Sequence, residues 1–78
     1  MMMNVGMLWL DDDKKRPFDE KVVRAAEYYQ TKYGRSPNIC FVNKKMLKEE
    51  KSVGKITVSP VRSVLPHHFW LGVDAAQH

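Results

Sequence analysis

Only one stretch of this chain has the periodicity of a long helix, and it lies between two apolar runs of strand length. In PFDEKVVRAAEYYQTKYG, residues Phe18, Val22, Ala25, Ala26, Tyr29 and Tyr33 share one face of a helix. Glu20, Arg24, Glu27 and Thr31 fall on the other. Pro17 suits a first helical turn, where its missing N–H leaves no bond unmade. Asp19 and Glu20 stand near the positive end of the helix dipole, and Glu20 with Arg24 forms a favourable i, i+4 pair. Gly34 fits a left-handed C-cap, and Pro37 just beyond it stops the helix from continuing. The spacing predicts a helix from about Pro17 to Tyr33.

Before it, VGMLWL (Val5 to Leu10) is apolar on both faces, as in a strand at the centre of a sheet, and Asp11, Asp12 and Asp13 end it. After it, NICFVN (Asn38 to Asn43) alternates Ile39 and Phe41 with Cys40 and Val42. Strand, helix and strand in this order make a βαβ unit, whose strands run parallel as neighbours or one strand apart. Asn43 is a fair N-cap for a short turn in KKMLKEEKSVG, anchored by Met46 and Leu47. KITVSPVRSV alternates Ile56 and Val58 with polar residues, and Pro60, which cannot donate to a ladder, ends that strand or marks an edge. In HHFWLGVD, with Pro66 at its start, Phe69, Leu71 and Val73 oppose His68, Trp70 and Gly72. Residues 75–78 read as a frayed tail.

The whole chain, 1–78, therefore reads as one α/β domain, with α+β as the neighbouring class. The architecture is a two-layer sandwich with one long helix on a three- or four-stranded mixed sheet. Its order is β-α-β-(short turn)-β-β. One helix covers one sheet face, and no second long helix is offered for the other. Cys40, Val42 and Trp70, with half of VGMLWL, are assigned to that uncovered face as an interface. The economical way to cover it is a homodimer of twofold symmetry.

Composition narrows the setting. A domain of 78 residues has limited core stability and gains from self-association or a metal. Cys40 is the only cysteine, so no internal disulfide forms, and a single thiol between apolar neighbours suits a reducing compartment. MMMNVGMLWL has no basic leader or cleavage site and is too short to span a bilayer. The expectation is a cytoplasmic protein with no membrane partner. The net charge of +4 is unevenly distributed: residues 44–62 carry six basic and two acidic side chains. A basic segment of this kind attracts polyanions, or shields a sheet edge as a solvated loop.

No phosphate loop, dinucleotide fingerprint, nucleophile elbow, metalloprotease histidine pair or paired Cys-x-x-Cys is present. No catalytic residue and no cofactor is assigned. The preferred reading is a small cytoplasmic protein-interaction module, acting as a homodimer or a subunit. The alternative is single-stranded nucleic-acid binding, with Lys44, Lys45, Lys48, Lys51, Lys55 and Arg62 on phosphates and Trp70 stacking on bases. A weaker third reading is a divalent-metal hydrolase. If the last strand lies antiparallel beside the first, Asp11 and Asp13 approach His67 or His68, a donor set suited to Mn²⁺, Zn²⁺ or Fe²⁺. Against it, adjacent strand residues point to opposite faces, and Lys14, Lys15 and Arg16 offset the acidic charge.

Overall fold

A computed structural model describes residues 3–74 of the chain, with side chains from Gly6 to Val73. The elements are β1 (Met3–Leu10), α1 (Phe18–Tyr33), β2 (Ile39–Asn43), β3 (Lys51–Val53), β4 (Ile56–Val61) and β5 (His68–Asp74). They form one helix packed on a five-stranded mixed sheet, a small α+β fold, in the strand order β1-β5-β2-β4-β3. The tail at 75–78 lies outside the described residues.

The helix forms where its periodicity places it. Pro17 is its N-cap, extended at φ −62° and ψ 154°, and its carbonyl accepts the Lys21 N–H at 3.1 Å. Gly34 closes it at φ 79°, a conformation that disfavours residues with a Cβ, and donates its N–H to Gln30 at 2.8 Å. Val22, Ala25 and Tyr29 are buried against the sheet, with Phe18, Ala26 and Tyr33 packed around them. At the N-terminal end Glu20 pairs with Arg16 at 3.7 Å.

Parallel β1 and β2 are separated by the last strand, which inserts between them antiparallel to both. The sheet departs from expectation in two respects. It has five strands, because Lys51–Val53 folds back on Ile56–Val58 as a hairpin. Gly54, at φ 61°, and Lys55 form its two-residue loop, a connection whose first position favours glycine. Strand β4 also runs through Pro60. Its β3 neighbour stops at the Lys51–Val58 pair, so Pro60 faces a partner strand on one side only, Val42 of β2.

A further correction concerns β1, which is an edge strand. Its apolar character on both faces suggested a central position, but β5 is continuously apolar on its helix side and occupies that place. Leu8 and Leu10 of β1 are 60% and 57% exposed as a result.

Register decides which residues meet α1. Met7, Leu71, Cys40 and Val58 align across β1, β5, β2 and β4, and Trp9, Phe69, Val42 and Pro60 form the next row. These two rows lie under the helix, and Cys40, Val42, Val58, Phe69 and Leu71 are fully buried. Cys40 and Val42 are therefore core residues, which corrects their assignment to the uncovered face. Alternation groups Cys40 with Val42 but does not say which face the pair takes; the pairing with Leu71 and Phe69 does.

Burial pushes the Cys40 thiol up to about 12. At pH 8 a shift of this size lowers the thiolate population about a thousandfold against an ordinary cysteine. Ellman's reagent is expected to leave native protein unmodified and to react stoichiometrically in denaturant. Rapid labelling of native protein would show that the helix does not seal this strand.

Candidate functional site: the uncovered sheet face

The face away from α1 is built from the alternate residues of the same strands. Leu8, Trp70, Phe41 and Ser59 form one row, and Gly6, Gly72, Ile39 and Thr57 the next. Leu10 and His68 pair beyond them, with Asn43 and Val61 at the same end. At the centre Phe41 and Trp70 stack, ring centroids 5.9 Å apart and planes 25° from parallel. Between Gly6 and Ser59 these rows contain no lysine, arginine, aspartate or glutamate; Glu50, which accepts the Ser59 hydroxyl at 3.3 Å, stands at the rim.

Gly6 makes the aromatic arrangement possible. A Cβ at this position would overlap the Trp70 indole, within 2.5 Å of its Cε2 and closer to Cζ2. The indole therefore lies across the β1 backbone, with Phe41 on its other side. A glycine inside an apolar strand is the sequence signal for such a close approach.

Trp70 belongs to this face, as its alternation with Phe69 and Leu71 implies. Its companions are Leu8, Leu10, Ile39 and Phe41. Ile39 and Phe41 were legible as a pair, but their place beside Trp70 depends on the β2–β5 register.

The basic residues do not form one patch. Lys44, Lys45 and Arg62 are exposed at the end of the sheet where β2 and β4 finish, while Lys55 is in the hairpin loop where β4 begins. From Lys55 to Arg62 an extended chain covers about 23 Å at ~3.3 Å per residue. Lys48 is exposed on the loop after β2. Lys51 turns toward the helix, donates to Asp19 at 2.8 Å and lies 5.8 Å from the centre of the Phe18 ring.

The acidic and histidine candidates meet at the end of β1, as the antiparallel β1–β5 pairing requires, but through their backbones. The Asp11 N–H donates to the His67 carbonyl at 2.9 Å. Asp11 is buried, and both its carboxylate oxygens have partners: the Asp13 N–H at 3.1 Å and Arg16 at 3.0 Å. Arg16 also lies 3.5 Å from Asp13, so a guanidinium holds the position a metal ion would need. His67 is exposed in a left-handed conformation, φ 67°, with its N–H 3.0 Å from the Met46 sulfur. His68 opens β5 on the opposite face from Asp11, its Nδ1 2.9 Å from the Pro66 carbonyl. Among the described residues no three histidine, cysteine, aspartate or glutamate side chains gather to hold a metal.

Asp11 instead organises the loop leading into α1. Burial tends to raise its pKa, but the Asp13 N–H, Arg16 and Lys21 outweigh burial and hold it below the ordinary 3.8. A depressed folded-state pKa stabilises the fold above the unfolded value, and this contribution is lost as pH falls through the folded one. Asp11→Asn is expected to destabilise the domain by about 1.5–3 kcal/mol at neutral pH, the range for hydrogen bonds to charged groups. The difference from wild type should shrink below about pH 4. Urea titrations at several pH values test this, and a difference constant down to pH 2 would assign the effect to something other than the carboxylate charge.

No protein-family model matches the chain, and no curated protein or solved structure matches it. Among the described residues no helix is long and apolar enough to cross a membrane.

Proposed function

We propose that this chain is a small cytoplasmic protein-interaction module, acting as a homodimer or subunit, whose uncovered sheet face holds a protein partner. The observation that carries this reading is the asymmetry of the sheet. One face is sealed by α1, while the other presents Leu8, Leu10, Ile39, Phe41 and Trp70 with no helix over them. Apolar side chains gathered on an uncovered face, with a charge-free centre, mark interaction sites on small domains. A Trp at the centre is a side chain suited to anchoring a partner.

The test is the concentration dependence of Trp70 emission in a Trp9→Phe background, with light scattering on the same samples. The expected result is a dimer mass, with Trp70 blue-shifted and slowly quenched by iodide once a partner covers the face. A monomer with freely quenched Trp70 at every concentration would overturn the homodimer form.

Single-stranded nucleic-acid binding is the second reading, favoured by one observation: Phe41 and Trp70 lie on adjacent interior strands of an open sheet face, where bases can stack. It expects saturable Trp70 quenching by mixed-sequence RNA or DNA that weakens steeply with salt. The separation of Lys55 from Lys44, Lys45 and Arg62, and the engagement of Lys51 by Asp19, place it second.

A further inference from the structure

We propose that two copies of this chain join through antiparallel pairing of their β1 edges into one continuous sheet, which leaves the face around Trp70 open for a further protein partner. The inference rests on the interaction reading above and gives its homodimer form a geometry.

The Asp11–His67 hydrogen bond sets the phase of the β1–β5 ladder. The constant register from Leu10–His68 to Gly6–Gly72 then points the N–H and C=O of Trp9 and Met7 toward β5 and those of Gly6, Leu8 and Leu10 outward. The Tyr33 hydroxyl reaches the Gly6 carbonyl at 3.4 Å. No hydrogen bond among the described residues reaches the outward groups of Leu8 or Leu10. Edge strands are usually protected by brevity, lysine or proline. The opposite edge, β3, has such protection: it is three residues long, contains Lys51 and is flanked by Lys48 and Lys55. The eight residues of β1 contain neither charge nor proline.

Two observations select a second copy as the occupant. The first is charge. This chain carries a net +4, so self-association is disfavoured wherever its basic segment meets itself. That segment runs from the end of β2 through β3 and β4, two to four strand spacings or about 10–19 Å from β1. This exceeds the screening length of about 8 Å in physiological salt. Beside β1, α1 presents Lys21, whose Nζ donates to the Asp11 carbonyl at 3.2 Å, and Arg24 with Glu27, which border an open cleft of about 240 Å³ shared with Trp9 and Tyr28. Two copies meeting there need not oppose like charges.

The second is continuity of apolar surface. Leu8 and Leu10 border the edge on the open face, and Tyr28, 58% exposed and 4.7 Å from Trp9, borders it on the helix side. A twofold axis near Leu8 joins each of these patches to its own copy, and the outward Gly6, Leu8 and Leu10 groups pair with the same set.

Light scattering at high micromolar concentration on wild type, Leu8→Pro and Phe41→Thr tests the geometry. Leu8→Pro deletes an outward N–H while leaving the bonds to β5, whereas Phe41→Thr alters the open face away from the edge. A wild-type dimer that becomes a folded monomer with Leu8→Pro and persists with Phe41→Thr is expected. Amide exchange on unmodified protein supplies a readout independent of any variant: the Leu8 and Leu10 amides should become protected as concentration rises. A dimer that survives Leu8→Pro but not Phe41→Thr, with Leu8 and Leu10 amides exchanging freely, would overturn edge pairing and leave the face as the interface. A wild-type monomer would overturn both the edge dimer and the homodimer reading.

Discussion

Phe69→Ala is expected to lower stability by about 3–5 kcal/mol, the range for deleting a fully buried aromatic ring. Phe69 is 0% exposed on β5, between Trp9 of β1 and Val42 of β2, and its ring centre lies 5.8 Å from that of Phe18 on α1. The cavity would therefore open where helix and sheet meet, flanked by strands whose hydrogen bonds prevent collapse. At ~0.05–0.15 kcal/mol per residue, a chain of this length is stable by about 4–12 kcal/mol, so the substitution removes much of the total. Urea unfolding followed by circular dichroism gives the measurement. Phe41→Ala on the open face serves as the contrast, because part of that ring is already in water. A smaller loss for Phe69→Ala than for Phe41→Ala would mean that α1 covers the other face of the sheet.

Gly6→Val acts on the candidate site itself. The new Cβ would occupy space filled by the Trp70 indole, so the ring must leave its place across β1. Overpacking of this kind costs about 1–3 kcal/mol. The larger consequence is functional: the ring loses its backing and its stacked contact with Phe41 is broken. Near-ultraviolet circular dichroism should lose much of its tryptophan signal, and any partner held by Trp70 should be released, while the helical signal persists. Gly6→Ala should give the same changes more weakly, since its single methyl meets the same ring atoms. Unchanged Trp70 spectra in both variants would contradict the close approach of ring and backbone.

The two substitutions separate the roles of adjacent residues. Phe69 and Trp70 are neighbours in one apolar run, yet one supports the core and the other the surface. This is a property of strands, where successive side chains point to opposite faces, and it explains why HHFWLGVD is both a core strand and part of a candidate site. His67 takes part in neither by its side chain; its carbonyl pairs with Asp11 and closes the β1–β5 ladder.

Local chemistry made the helix, its Gly34 cap and the presence of two apolar strands around it readable from the sequence. Each depends on a period or on a backbone conformation carried by a few neighbouring residues. The same local rules predicted an uncovered face, since a single long helix cannot cover a sheet on both sides. They also grouped Ile39 with Phe41 and Cys40 with Val42. Gly54, in VGK between two β-rich runs, offered a hairpin signal that would have supplied the fifth strand.

Strand order and register were decided by tertiary structure alone. The insertion of β5 between β1 and β2 put β1 at an edge, although its composition suits a centre. The same insertion sent Cys40 and Val42 under the helix and brought Phe41 beside Trp70. It also turned the acidic DDD segment into a loop in which Arg16 neutralises Asp11, away from the ring of His68. These outcomes depend on pairing between residues about thirty positions apart, as Phe41 and Trp70 are, or about sixty, as Leu8 and Trp70 are. A period shows which side chains travel together along one strand, whereas only the alignment of strands with one another shows what they meet.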